Sequence, residues 1–175
     1  KLNDDIYLTG NVGDSFLGLK LIKKKTTIDK KLRQYFINKF YCPEIPYKSY
    51  KTIRKFANSS IDISDGLIDD LKKLINRQNV SFKVDIDKIP ISKQLFKYLI
   101  LYKKKKIDYV YHGDDYQILF TAKKRDRNKI LKNFNHMNQK VSLIGEILPK
   151  KAKNLLYSDK KVFKLTKYKG YSHKF

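Results

Sequence analysis

The chain changes its hydrophobic period within a dozen residues, and that switch limits what it can fold into. Across residues 59–66, SSIDISDG, Ile61 and Ile63 alternate with polar neighbours, the two-residue period of a half-buried strand. The alternation stops at Ser64-Asp65-Gly66. From Leu67 the apolar residues fall at 67, 68, 71, 74 and 75, the spacing of an amphipathic helix expected over residues 67–77. A strand therefore feeds a helix through a tight turn, and two carboxylates, Asp62 and Asp65, flank the hydroxyl of Ser64 there. Two readings fit such a turn. Unpaired backbone N–H groups and the positive end of the helix dipole suit phosphate, and carboxylates beside a phosphate imply a divalent cation to offset their repulsion. Alternatively, Ser64 and Asp65 are ordinary N-cap residues, Gly66 is a turn residue, and Asp69 and Asp70 are first-turn carboxylates favoured by the dipole. Spacing alone leaves the two level.

The remaining elements are read the same way. Residues 6–9 form a short strand, Gly10 to Gly13 a turn, and a helix opens at Asp14 or Ser15. No Gly-Lys-Ser/Thr follows, so this is not a P-loop, and a plain strand–turn–helix connection is favoured there. Residues 28–40 have helical spacing and stop before the rigid Pro43-Glu44-Ile45-Pro46 loop. A short helix over 48–57, a strand over 80–86 and a helix capped by Ser92 and running to Leu101 come next. The lysine run 103–106 is a solvated helix end. Residues 116–122, YQILFTA, form a strand buried on both faces, 125–134 a helix, and 141–148 a strand in which Gly145 marks a bulge. Two short apolar runs around Ser158-Asp159-Lys160 close the pattern as a hairpin. The interspersed elements and the terminal hairpin together predict an α+β fold with a mixed sheet.

At 175 residues, with 41% apolar and 13% aromatic side chains, the chain is expected to form one globular domain. No apolar run is long enough to cross a membrane, and KLNDDIYLTG lacks a signal-peptide core, so a cytoplasmic location and no membrane partner are expected. Cys42 is the single cysteine, which excludes an internal disulfide framework and a CxxC zinc site. The net charge of +23 invites a nucleic-acid reading. Yet arginine, the residue of bidentate base and phosphate contacts, occurs only at 33, 54, 77, 125 and 127. The lysine excess, with alanine confined to 57, 122 and 152, is the drift of an AT-rich coding sequence, and no specific nucleic-acid partner is expected. A basic lysine-rich nucleic-acid-binding module is the rival reading from a different class. His112, His136 and His173 show no zinc-ligand spacing.

Three segments, in order, resemble one family. TGNVGDSFLGLKLI is similar to its TGxxGxSxxGLxxL segment, SSIDISDGLIDDL to its (S/A)xxDxSDGLxxDL signature, and HGDDYQILFTA to GG(E/D)DYELLFT. With the closing KGYSHKF, they resemble the C-terminal domain of thiamine-monophosphate kinases, within the superfamily of aminoimidazole ribonucleotide synthetase. The SDGL element is shared across that superfamily; the GDDY segment and the aromatic tail select the thiamine enzymes. Another ATP-dependent enzyme of the superfamily is the nearer alternative.

The resemblance implies a reaction, partners and residue roles. ATP would give its γ-phosphoryl group to thiamine phosphate, yielding thiamine diphosphate and ADP. Asp62 and Asp65 match magnesium ligands, Ser64 an ATP-contacting position, Asp114 the acidic residue that contacts thiamine, and Tyr171 an aromatic residue that packs on the substrate. The acceptor is a phosphate oxygen already anionic near neutral pH, so no general base is required. Family members carry an N-terminal domain with further magnesium-binding aspartates and dimerise largely through it. This chain is thus expected to be a single C-terminal domain over residues 1–175, part of a homodimer when complete, with little or no kinase activity alone. Two departures stand out: Tyr41 and Tyr47 replace arginines usual in the proline loop, and Lys174 lengthens the usual GYxHF ending.

Overall fold

In the computed structural model, which describes residues 1–24, 26, 28–76, 78–159, 161–163 and 165, strands and helices are interspersed along the chain. The strands are β1 (Asp5–Thr9), β2 (Ala57–Asp62), β3 (Val80–Asp85), β4 (Ile118–Ala122), β5 (Val141–Pro149), β6 (Leu155–Ser158) and β7 (Lys161–Phe163). The helices are α1 (Asp14–Ile22), α2 (Lys30–Tyr41), α3 (Tyr50–Phe56), α4 (Leu67–Leu74), α5 (Lys93–Leu101), α6 (Ile107–Val110) and α7 (Arg127–His136). All the described strands join one sheet in the order β2-β4-β1-β5-β3-β6-β7. Neighbours are antiparallel except β3 and β6, which run parallel. The α+β, mixed-sheet expectation therefore holds, and β6 and β7 pair as the hairpin the sequence indicated.

The alternation within β1 explains the layering. Ile6 and Leu8 point into the main core, where Leu119, Ile144, Phe82 and Val84 from other strands meet Leu67, Ile68 and Leu71 of α4. Tyr7 points the other way and stacks on Phe120, backed by Ile130 and Phe134 of α7. β4 likewise places Leu119 on one face and Phe120 on the other, so both its faces are buried. A further cluster, Leu17, Leu21, Phe36, Leu95 and Tyr98, ties α1, α2 and α5 together. Burial of Leu67, Ile68 and Leu71 contributes roughly 1.5–3 kcal/mol each, which seats the helix on the sheet and fixes the turn that precedes it.

Gly145 sits at the bulge the sequence suggested. Ile6 pairs with Gly145 but Tyr7 with Leu143, leaving Ile144 as the extra residue of β5. A side chain at 145 would run into the backbone of Lys83 on the adjoining strand. Some boundaries differ from expectation. The short helix ends at Phe56 and β2 begins at once, α4 stops at Leu74, and Tyr116 and Gln117 precede β4 rather than start it. In the lysine run, Lys103 to Lys105 are exposed, whereas Lys106 is half-buried and donates to the backbone oxygen of Asp87 at 3.0 Å.

Candidate functional site

β2 is an edge strand and ends at Asp62, which is exposed. Ile63 leaves the strand but keeps its pairing: its N–H donates to Gln117 O at 2.8 Å, and Tyr116 N–H returns to Ile63 O at 3.0 Å. One residue further, Asp114 N–H donates to Ser64 O at 3.0 Å. The segment before β4 thus continues the β2–β4 ladder and lies on the Ser64-Asp65-Gly66 turn. Two glycines make this contact possible. A Cβ on Gly113 would strike the carbonyl oxygen of Ser64, and one on Gly66 the carbonyl oxygen of Tyr111. Gly66 also has φ 140° and ψ 146°, a conformation that is nearly glycine-only.

This backbone pairing brings Ser64 and Asp65 beside Asp114, about fifty positions later in the chain. Burial, followed by the negative charge of Asp65, pushes the Asp114 carboxyl above the usual carboxylate range, while Lys23 pulls it down. Asp114 and Tyr116 both hold left-handed backbone conformations, φ 66° and 51°. That costs on the order of 1–3 kcal/mol per residue and persists only where the surroundings enforce it. The enforcement comes from Asp115 between them. Its buried carboxylate accepts from the N–H of Gly13 at 2.6 Å and of Ser15 at 3.2 Å, pinning the loop to the start of α1. Burial pushes the Asp115 carboxyl up to about 7, against the pull of the hydrogen bonds from Gly13 and Ser15.

The turn before α4 is organised in the same manner, and here the structure departs from both sequence readings. The N–H groups of Ser64, Asp65 and Gly66 all donate to Asp70 Oδ2, at 3.1, 3.0 and 3.0 Å. Three amides that looked available to phosphate are occupied by a carboxylate of the same helix. The N-cap residue is Gly66, with no side-chain cap, so neither Ser64 nor Asp65 acts as a side-chain cap for α4. Asp70 is no solvated first-turn residue either, being fully buried. With its amides engaged internally, the turn offers side chains instead: Asp62, Ser64 and a part-exposed Asp65. The strand–turn–helix at α1 proves a plain connection, its amides capped by Asp115.

Asp70 and Asp115 were not singled out by sequence reasoning, though Asp70 left a signal. It lies between Leu67 and Leu74 on the apolar stripe of α4, where a carboxylate must find buried partners. Asp115 gave no comparable sign, because its amide partners are a hundred residues away. His112 was also missed in its role. Its ring stacks on Phe16 with centroids 3.4 Å apart and planes 15° from parallel. Burial first, then Lys20, holds its pKa down at about 4, so it is neutral at physiological pH.

The donor set suits a hard divalent cation in part. Asp62 and Asp65 supply carboxylate oxygens, and a cation already rests on Asp65: the ammonium of Lys73, which also meets Asp70 Oδ1 at 2.8 Å. Among the described residues, however, no group of three or more histidine, cysteine or acidic side chains is placed to hold a metal ion. These carboxylates could form one side of a coordination shell completed by water and phosphate oxygens, the usual habit of magnesium. Tyr171 lies outside the described residues. Tyr41 and Tyr47 are exposed, at 65% and 69%.

Residues 3–158 match the family model of AIR synthase related protein, C-terminal domain. The chain belongs to that family. It is 35% identical over 177 residues to the thiamine-monophosphate kinase of Buchnera aphidicola subsp. Acyrthosiphon pisum, covering 98% of this chain and 53% of the relative. Among solved structures, thiamine monophosphate kinase from Aquifex aeolicus superposes with a TM-score of 0.76 at 30% identity, over 94% of this chain and 52% of that one. A second, AaThiL complexed with AMPPCP and TMP, gives 0.78 at 30% identity over 99% and 52%. The chain spans about half the length of the relatives it matches.

Proposed function

We propose that this chain is the C-terminal part of a thiamine-monophosphate kinase, which transfers the γ-phosphoryl group of ATP to thiamine phosphate. The observation that carries the proposal is the ladder from Ile63–Gln117 to Ser64–Asp114, which sets the carboxylate turn against Asp114. It is supported by the likeness to AaThiL complexed with AMPPCP, an ATP analogue, and TMP. An anionic oxygen of thiamine phosphate forms a bond to the γ-phosphorus, the bond to the β–γ bridging oxygen breaks, and ADP leaves with that electron pair. No proton need be removed from the acceptor, so the reaction calls for no general base.

In this reading Asp62 and Asp65 hold magnesium, Ser64 contacts ATP, Asp114 contacts the thiamine moiety, and Tyr171 packs on it. Magnesium, when bound, would neutralise charge on the phosphate oxygens. The chain's own part is positional. The buried Asp70 and Asp115 hold two turns in strained or tightly paired shapes, so that Asp65 and Asp114 face the same space before substrate arrives. Further ligands, homodimer formation and a cytoplasmic location belong to the same proposal. Among the described residues, no helix is long and apolar enough to cross a membrane.

Steady-state kinetics of the complete protein tests it. Asp114→Asn is expected to raise KM for thiamine phosphate about tenfold or more, the scale of a lost charged hydrogen bond, with KM for ATP little changed. Asp65→Asn should lower kcat and raise the magnesium requirement. Equal effects of Asp114→Asn on both substrates, or none, would overturn the assignment. The 175-residue chain alone is expected to turn over little or no thiamine phosphate.

A further inference from the structure

We propose that Lys73 is a tethered counter-ion of Asp65, which yields that carboxylate to a divalent cation while staying anchored to Asp70. The inference rests on the reading of Asp65 as a metal ligand and adds a residue to that site. Lys73 projects from the last turn of α4 and pairs with two carboxylates of unlike character. Asp70 is fixed: its side chain is fully buried, Oδ2 is bound by three amides, and Oδ1 receives Lys73 at 2.8 Å. Asp65 is 28% exposed at the mouth of the site, and Lys73 itself is 49% exposed. One berth of the ammonium is permanent and the other is open to exchange.

The electrostatics fit such an exchange. The Lys73 ammonium is held between the Asp65 and Asp70 carboxylates, so one cation serves both. Without it, Asp65 and the buried Asp70 would lose the cation they share, beside Asp114, whose charge only the more distant field of Lys23 offsets. Lys73 thus keeps the metal-free site from opening. When Asp65 is taken by a divalent ion, the four-carbon stem lets the ammonium turn about its Asp70 contact. A donor is thereby freed at the exposed mouth of the site. An ordinary i,i+3 ion pair on a helix would do none of this; it would only add a little stability.

The test is a titration of the complete protein with Mn2+, following the free-ion electron paramagnetic resonance signal, in the wild type, Lys73→Met, Lys73→Gln and Asp65→Asn. Thermal melts in chelator confirm that each variant is folded; agreement between the two Lys73 variants separates loss of charge from loss of structure. The expected result is Mn2+ binding about two- to tenfold tighter in both Lys73 variants, from removal of a part-exposed competing cation, and lost in Asp65→Asn. Equal or weaker binding in the Lys73 variants, with binding still lost in Asp65→Asn, would overturn the inference and leave the metal site intact. Mn2+ binding that does not depend on Asp65 would overturn the site reading, and the inference with it.

Discussion

Asp70 and Asp115 are buried carboxylates, and Asp70 occupies the amides that one of the two sequence readings offered to a phosphate. Each gathers backbone amides at the start of a helix, and each thereby fixes a turn carrying a candidate site residue. A buried carboxylate has a consequence for pH. The Asp115 pKa is raised from 3.8 to about 7 by burial, so the folded protein keeps a proton that the unfolded chain releases over that interval. Its contribution to stability is complete below about pH 4 and is lost as pH rises through 7. His112 works in the opposite sense, since its folded pKa of about 4 lies below 6.5 and the unfolded chain takes up the proton first. Comparing wild type with Asp115→Asn cancels the His112 contribution. The variant is expected to be less stable by about 1–3 kcal/mol at pH 5, from imperfect pairing of Gly13 and Ser15 amides. That gap should shrink by pH 8, because only the wild type must ionise a buried group. Urea unfolding at the two pH values measures it, and a gap that widens with pH would contradict the account.

Elements with strong periodicity and a local cap are legible in the amino-acid order alone. Helix α5 begins where Ser92 indicates, its hydroxyl accepting from Leu95 N–H at 2.9 Å, and the bulge at Gly145 lies where a glycine interrupts a strand. The start of β2 is not legible, because Ala57-Asn58-Ser59-Ser60 offers no apolar alternation and α3 passes into it with no turn residue. Nor is the parallel β3–β6 pairing, which depends on where β6 docks rather than on its own sequence. The same division holds at the site. Asp62, Ser64 and Asp65 can be read from one segment, whereas the apposition of Asp114 to Ser64 is a property of two segments. Their contact depends on two glycines, and that is testable. Gly113→Ala places a Cβ against the carbonyl oxygen of Ser64, backbone that cannot swing away. A loss of about 1–3 kcal/mol is expected, the usual cost of overpacking. Gly66→Ala should cost more, since it combines a clash on Tyr111 O with φ 140°. Circular-dichroism melts should rank wild type above Gly113→Ala and Gly113→Ala above Gly66→Ala. Hydrogen exchange at the Asp114 amide should quicken in both variants, which a remote loss of packing would not require.

Over the whole molecule, 40 basic side chains stand against 17 acidic ones, and several of the acidic ones are committed inside. Asp5, nearly buried, is held by Arg127 through two contacts of 2.9 Å and by the Tyr7 hydroxyl at 3.0 Å. Asp14 accepts from Ser92 and Tyr35, away from solvent. The exterior is therefore more lopsided than the totals suggest. Ion pairs such as Lys39–Glu44 and Lys124–Glu146 involve exposed groups, each worth about 0–1 kcal/mol and weakened by salt. Repulsion among the surplus lysines is weakened by salt as well, and with a charge of +23 it is the larger quantity. Screening should then favour the compact state. Between 0.05 and 0.5 M sodium chloride the Debye length falls from roughly 14 to 4 Å. The melting temperature is expected to rise by about 2–4 °C, equivalent to about 1 kcal/mol for a chain of this size. The Asp5–Arg127 pair is half-shielded from solvent and should change least, so Asp5→Asn should lower stability by a similar amount at both salt concentrations. A melting temperature that falls with salt would mean that surface ion pairs outweigh the lysine surplus.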